Sequence, residues 1–186
     1  APIAAGEKVD LAALADNLPA GLEGAGIAII PADAETELSL GSGSSGIAID
    51  TEQLNEVGRK LKLGAGGGAN PIAIGADGSA TSLNVDVALE SSGAGGKITV
   101  SGDTSVKSLS IIGSGFTTTV EGKTLESTDG DLVVDDSLRA IGEVDVVSAG
   151  DITITGAIVG DEASGDSVTF NATGNVLVQG SIGRGA

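Results

Sequence analysis

The feature that most constrains this chain is a repeat in its C-terminal half. Glu143–Ile158 aligns with Ser167–Ile182, residue for residue. Val144 then falls on Val168, Val146 on Phe170, Gly150 on Gly174, Ile152 on Val176, Ile154 on Val178, Gly156 on Gly180 and Ile158 on Ile182. A third copy lies one period earlier, where Gly130, Asp131, Leu132, Val134 and Leu138 match Gly150, Asp151, Ile152, Ile154 and Ile158. A fainter copy begins at Gly96, with Ile98 and Val100. The shared unit is a short alternating strand, a Gly-Asp or Gly-Asn corner, and a second alternating strand. The spacing between copies, about 20 to 24 residues, is the length of one solenoid turn.

Alternation at period two sends Ile152 and Ile154 inward and Thr153 and Thr155 outward. Gly150-Asp151 and Gly174-Asn175 suit corners, since Gly, Asp and Asn tolerate left-handed backbone. At about 22 residues per turn the chain would make roughly eight turns, a rod of about 40 Å.

Composition fits a thin core. Cys, His, Met, Trp and Tyr are absent, and Phe116 and Phe170 are the only aromatics. The apolar 40% is therefore almost all Ala, Val, Ile and Leu, which stack in rows between closely spaced strands. The 31 glycines supply corners. A mean hydropathy of +0.27 argues against disorder. Nine Lys and Arg against 26 Asp and Glu, a net charge of −17, exclude a phosphate-tracking surface and so nucleic acid. Such a surface favours solubility and repulsion between neighbouring rods. Without Cys there is no disulfide framework, which fits an exported protein. No apolar run reaches the ~20 residues of a membrane helix. The chain begins at Ala1 without Met or a signal peptide and reads as a mature product or an excised piece.

The first half, residues 1–95, reads as less regular turns, continuous with the regular turns of 96–186 in one domain. Leu11, Leu14 and Leu18 predict a helix near 10–18, stopped by Pro19, and a second is expected over 51–60. Asp50 or Thr51 would cap the second, with Gln53 completing a capping box. Strands are expected at 26–30, 37–40, 46–49, 60–63, 71–74 and 82–89, with Gly64–Gly68 as a corner.

Gly-Asp-Ile-Thr-Ile-Thr-Gly at 150–156 and Ser-Val-Thr-Phe-Asn-Ala-Thr-Gly-Asn-Val at 167–176 resemble the filamentous-haemagglutinin-type repeats of large bacterial adhesins and giant exoproteins. Asp50–Leu54, followed by Lys60–Gly64 and Asn70–Gly75, is similar to the helix-then-strand turns of such proteins. The resemblance implies an all-β fold, a right-handed parallel β-helix with one or two short helices. It also implies export to the cell surface or beyond, and a role in adhesion, matrix or filament structure. Asn70-Pro71-Ile72 is not the Asn-Pro-Asn-Gly-type motif of an N-terminal secretion domain, so the export route stays open.

Residues for chemistry are few. Without His or Cys the usual nucleophile–base pairs are excluded. Gly64–Gly68 lacks the Lys-Ser/Thr of a phosphate loop. Polysaccharide lyases use β-helices, with a Lys or Arg base beside carboxylates. Lys107 near Asp103, and Arg139 near Asp135 and Asp136, are the candidates; solvated surface pairs are the plainer reading. Asp129, Asp131, Asp135 and Asp136 offer oxygen ligands for one weakly held Ca²⁺, as do Asp161, Glu162 and Asp166, with solvated turns as the alternative. No other cofactor is expected. Thr153 and Thr155 form a Thr-x-Thr pair, but Leu177 and Gln179 follow on the next turn, which an ice-binding face would not allow. Asn171-Ala172-Thr173 is a formal glycosylation acceptor.

The expectation is therefore a non-enzymatic structural solenoid, a spacer or filament repeat. An adhesive module for glycan or protein is the alternative, and a lyase the second alternative. Its partners would be copies of itself end to end or neighbouring repeats of a longer parent chain. Val176, Val178 and Ile182 at one end, and Ile3 at the other, are the residues expected to join, because the core pattern runs uncapped to both ends.

Overall fold

The computed structural model describes residues 9–11, 13, 26–41, 46–115, 118–161 and 165–184, the side chain of Arg184 excepted. Its first elements are β1 (Ile27–Ile29), β2 (Leu38–Leu40), β3 (Ile47–Ile49) and α1 (Thr51–Val57). Then come β4 (Leu61–Ala65), β5 (Ile72–Ile74), β6 (Thr81–Ser82), β7 (Asp86–Ser91), β8 (Ile98–Val100), β9 (Thr104–Val106), β10 (Ser108–Ile112), β11 (Thr118–Glu121) and β12 (Thr124–Ser127). The regular half ends with β13 (Leu132–Asp135), β14 (Leu138–Ile141), β15 (Glu143–Ser148), β16 (Ile152–Ile154), β17 (Ile158–Gly160), β18 (Ser167–Ala172), β19 (Val176–Val178) and β20 (Ile182–Arg184).

These strands wind into a three-sided parallel β-solenoid. The first face is a seven-stranded sheet, β1-β4-β7-β10-β13-β16-β19. The second has eight strands, β3-β2-β5-β8-β11-β14-β17-β20, and the third five, β6-β9-β12-β15-β18. From β4 onward every third strand in sequence returns to the same face, one coil further on. Among the described residues five coils therefore carry all three strands, fewer than the eight turns that chain length suggests, because neither β1 to β3 with α1 nor β19 with β20 forms a complete coil there. Strands on each face stack at ~4.8 Å, so the eight-stranded face sets the length of the rod. All three faces run unbroken across residues 95–96, through the β7–β10, β5–β8 and β6–β9 pairs.

Inward residues stack in columns. One column on the first face runs Ile29, Leu63, Leu89, Ile111, Val134, Ile154 and Val178. All but Val178 are at most 4% exposed and belong to one core. The alignment of Glu143–Ile158 with Ser167–Ile182 is the observed register: Val146 pairs with Phe170, Ile152 with Val176 and Ile158 with Ile182. The Gly96 alignment is corrected. Ile98 and Val100 lie on the second face, Ile98 in the column of Leu138 and Ile158 and Val100 in that of Val120 and Ala140, whereas the first face at that level is Leu109 and Ile111. The expected strand 82–89 is two strands on different faces, β6 and β7, with Leu83 and Val85 buried at the bend between them.

Helix α1 is capped by Asp50, whose carboxylate accepts the N–H groups of Glu52 and Gln53. It ends short of the expected boundary, where Gly58 takes a left-handed conformation with φ 63°, the usual way to close a helix. Gln53 does not complete a capping box. Its Oε1 accepts the N–H of Leu11 at 3.2 Å, tying the N-terminal segment to the coil. Leu11 and Ala13 are helical, Asp10 precedes them and accepts the Ala13 N–H at 2.9 Å, and the rest of the helix expected over 10–18 lies outside the described residues.

Salt bridges also link coil to coil. Lys60 reaches Asp86 at 3.0 Å and Lys62 reaches Glu90 at 2.5 Å. The Asp86 carboxyl is held below the ordinary carboxylate range, chiefly by Lys60 and then by the Ser108 hydroxyl, which donates to it at 2.8 Å. A pKa depressed by folding contributes stability above the unfolded value and loses it as pH falls through the native one. Asp86→Asn is therefore expected to cost about 0.5 kcal/mol at neutral pH, as for a partly exposed pair. The deficit should vanish in acid below both pKa values. Paired melts at the two pH values check this, and an equal deficit in both would reject the ion pair as its source.

Candidate functional site

The carboxylates that sequence spacing groups together are separated by the fold. Asp129 pairs with Lys107 at 3.3 Å on the surface. Asp131 Oδ1 accepts the N–H of Asp151 at 2.9 Å, and Asp135 Oδ1 accepts the Thr155 hydroxyl at 2.7 Å. Asp136 is 5% exposed, and its Oδ2 accepts both the N–H and the hydroxyl of Thr118 at 2.9 Å. Each carboxylate serves a different coil contact, and among the described residues no three His, Cys, Asp or Glu gather to hold a metal ion. Of the second cluster, Asp166 Oδ1 accepts the N–H of Gly142 at 2.7 Å, while Glu162 lies outside the described residues. Two of the lyase candidates are likewise engaged elsewhere. Lys107 holds Asp129, and Asp103 Oδ1 accepts the N–H of Thr124 at 2.9 Å.

What these side chains build is a directional ladder at the corner leading onto the first face. Asp131 receives the N–H of Asp151, and Asp151 Oδ1 receives the N–H of Asn175 at 2.7 Å. Each corner residue thus accepts from its counterpart one coil nearer the C-terminus. The glycine beside it makes room for that carboxylate. A Cβ on Gly150 would lie 2.3 Å from Asp131 Oδ1, and one on Gly174 would lie 2.1 Å from Asp151 Oδ1. Gly130, Gly150 and Gly174 do not have positive φ, so close approach replaces left-handed geometry as the reason for this motif. Buried serines seal the same corner, Ser127 donating to Gly130 O at 2.8 Å and Ser148 to the same carbonyl at 3.0 Å.

The two ends of the solenoid differ. At the N-terminal end Val9 and Leu11 are 3% and 0% exposed and join the core, and the N–H of Val9 reaches Ala48 O of β3 at 3.5 Å. The open start expected at residues 1–4, Ile3 included, lies outside the described residues. At the C-terminal end β18, β19 and β20 are the last strand of each face. Val176 is 46% exposed and Ile182 65%, where Ile152 and Ile158 one coil earlier are at most 1%. Val178 and Phe170 are only partly buried, Phe170 in the inward column of Val146 as expected.

The C-terminal end also holds space. On the second face the inward column shrinks from Val120 to Ala140 to Gly160. A cavity of about 470 Å³ opens there, lined by Ala140, Ile158, Gly160, Val168, Phe170 and Ile182 among others. The sequence marked Val176, Val178 and Ile182 through the persistence of the core pattern. It read Asn175 as a corner residue and not as a rung of the ladder, and it missed the cavity. Comparison of the chain with family models, with curated proteins and with solved structures finds no match.

Proposed function

We propose that this chain is a structural β-solenoid segment, a stiff acidic spacer of a secreted or cell-surface bacterial protein, joined end to end with further coils. The observation that carries the reading is the inter-coil ladder of Asp131, Asp151 and Asn175, which leads to a C-terminal coil whose inward residues Val176 and Ile182 are exposed. Exposed strand edges recruit further strands. Carboxylates engaged in coil-to-coil bonds support a mechanical role over a chemical one, and the net charge of −17 keeps parallel rods apart.

Two measurements test this. Small-angle scattering of the isolated chain should give a rigid cylinder. Incubation with polyuronates and a glycan array should give neither unsaturated product nor saturable binding. Release of unsaturated uronate would replace the spacer with a lyase, and saturable glycan binding would replace it with an adhesive module.

A further inference from the structure

The two unlike ends carry a more specific reading, which rests on the spacer function. We propose that the C-terminal face is built to take one parallel β-coil with a glycine at its corner, supplied by a neighbouring solenoid segment rather than by a second copy of this chain.

The geometry of the occupant follows from the ladder. Asn175 Nδ2 donates to Asp151 Oδ1 at 3.3 Å, which leaves Asn175 Oδ1 as the acceptor for the next rung. Asp131 and Asp151 each use that acceptor on the corner N–H one coil further on, so the next coil must present its corner N–H there. A parallel coil in register does so, and every strand pair in the solenoid flanking this corner is parallel. The residue before that N–H stands where Gly150 and Gly174 stand over Asp131 and Asp151, so a glycine there leaves the Asn175 side chain room to accept. Inside, the occupant continues the columns that end at Val176, Val178 and Ile182.

A second copy does not offer this coil. Its N-terminal end carries Val9 and Leu11 packed into the core, with Ala48 O of its edge strand already accepting from Val9. Two copies would also bring together net charges of −17 each, which repel.

The test extends the chain by one coil. A duplicate of residues 161–184 inserted directly after Arg184 places a copied Gly174-Asn175 corner over Asn175, one period on. The extended chain should melt several degrees higher, and the added coil should resist proteolysis. The same extension with its copied glycine changed to Val should lose both gains. The unextended chain should sediment as a monomer at high concentration. Digestion of the added coil back to Arg184, with an unchanged melting midpoint, would overturn the docking face. Dimers or fibres of the unextended chain would overturn the exclusion of a second copy while leaving the end-joined spacer standing. Polyuronate cleavage would remove the spacer reading and leave the docking measurement to be judged by itself.

Discussion

Ile154→Asp is expected to lower the melting midpoint by about 15 °C, whereas Thr153→Asp next to it should move it by no more than about 2 °C. Ile154 is fully buried between Val134 and Val178 in the inward column of the first face. The substitution removes most of a buried side chain, a loss of about 2–5 kcal/mol. It also places a carboxylate among Val, Ile and Leu with no donor to receive it, a further cost of several kcal/mol unless the group takes up a proton. Because each coil rests only on its neighbours, the damage spreads to the coils on both sides. That is a large part of a total stability of about 5–15 kcal/mol. Thr153 lies in the outward column between Val133 and Leu177, where a charge stays solvated. Thermal melts by circular dichroism of the two variants decide the matter. Equal tolerance of both would reject the inward and outward assignment for β16.

That assignment was legible in the sequence because local alternation and long-range repetition agree. Val144, Val146, Ile152, Ile154 and Ile158 each find the partner that the repeat assigns them. The reading failed where only alternation was available. Ile98-Thr99-Val100 has the same pattern on the second face as Ile152-Thr153-Ile154 has on the first. A three-residue strand does not by itself encode its face. The carboxylates misled for a related reason. Asp131, Asp135 and Asp136 are close in sequence, but their hydrogen-bond partners Asp151, Thr155 and Thr118 are 18 to 20 residues away, one coil off. The docking of Leu11 was equally invisible, since it depends on Gln53 reaching Leu11 rather than its own helix start. The uncapped C-terminal pattern was read directly, because Val176, Val178 and Ile182 keep the period of the buried columns.

The glycines make the second large prediction, and it separates close approach from backbone freedom. Gly156 sits at the corner between β16 and β17, where its N–H donates to Asp136 O at 3.1 Å. It lacks a positive φ, so alanine or valine is compatible with its backbone. What it lacks is room. An added Cβ would lie 2.5 Å from the N of Ser137 and 2.6 Å from the C of Asp136, both backbone atoms of the coil before. Backbone cannot rotate away as a side-chain tip can, so the corner must lift. Lifting strains the bonds from Gly156 to Asp136 O and from Ala157 N–H to Ser137 Oγ at 3.1 Å. Gly180 meets the same crowding against Gly156 itself, at 2.4 Å from its carbonyl, so the displacement passes on to the next coil. Overpacking of this kind costs about 1–3 kcal/mol. Gly156→Ala is expected near the upper end of that range and Gly156→Val beyond it, with the Val variant melting at least about 10 °C lower. Gly183 on β20 is the control, because an added Cβ there meets nothing within 4 Å. Gly183→Ala should stay within about 0.5 kcal/mol of the parent chain, as ordinary surface substitutions do. Melts of the three variants side by side read the result. If Gly156→Ala proved as neutral as Gly183→Ala, the coils would not be stacked as closely at this corner as the solenoid requires.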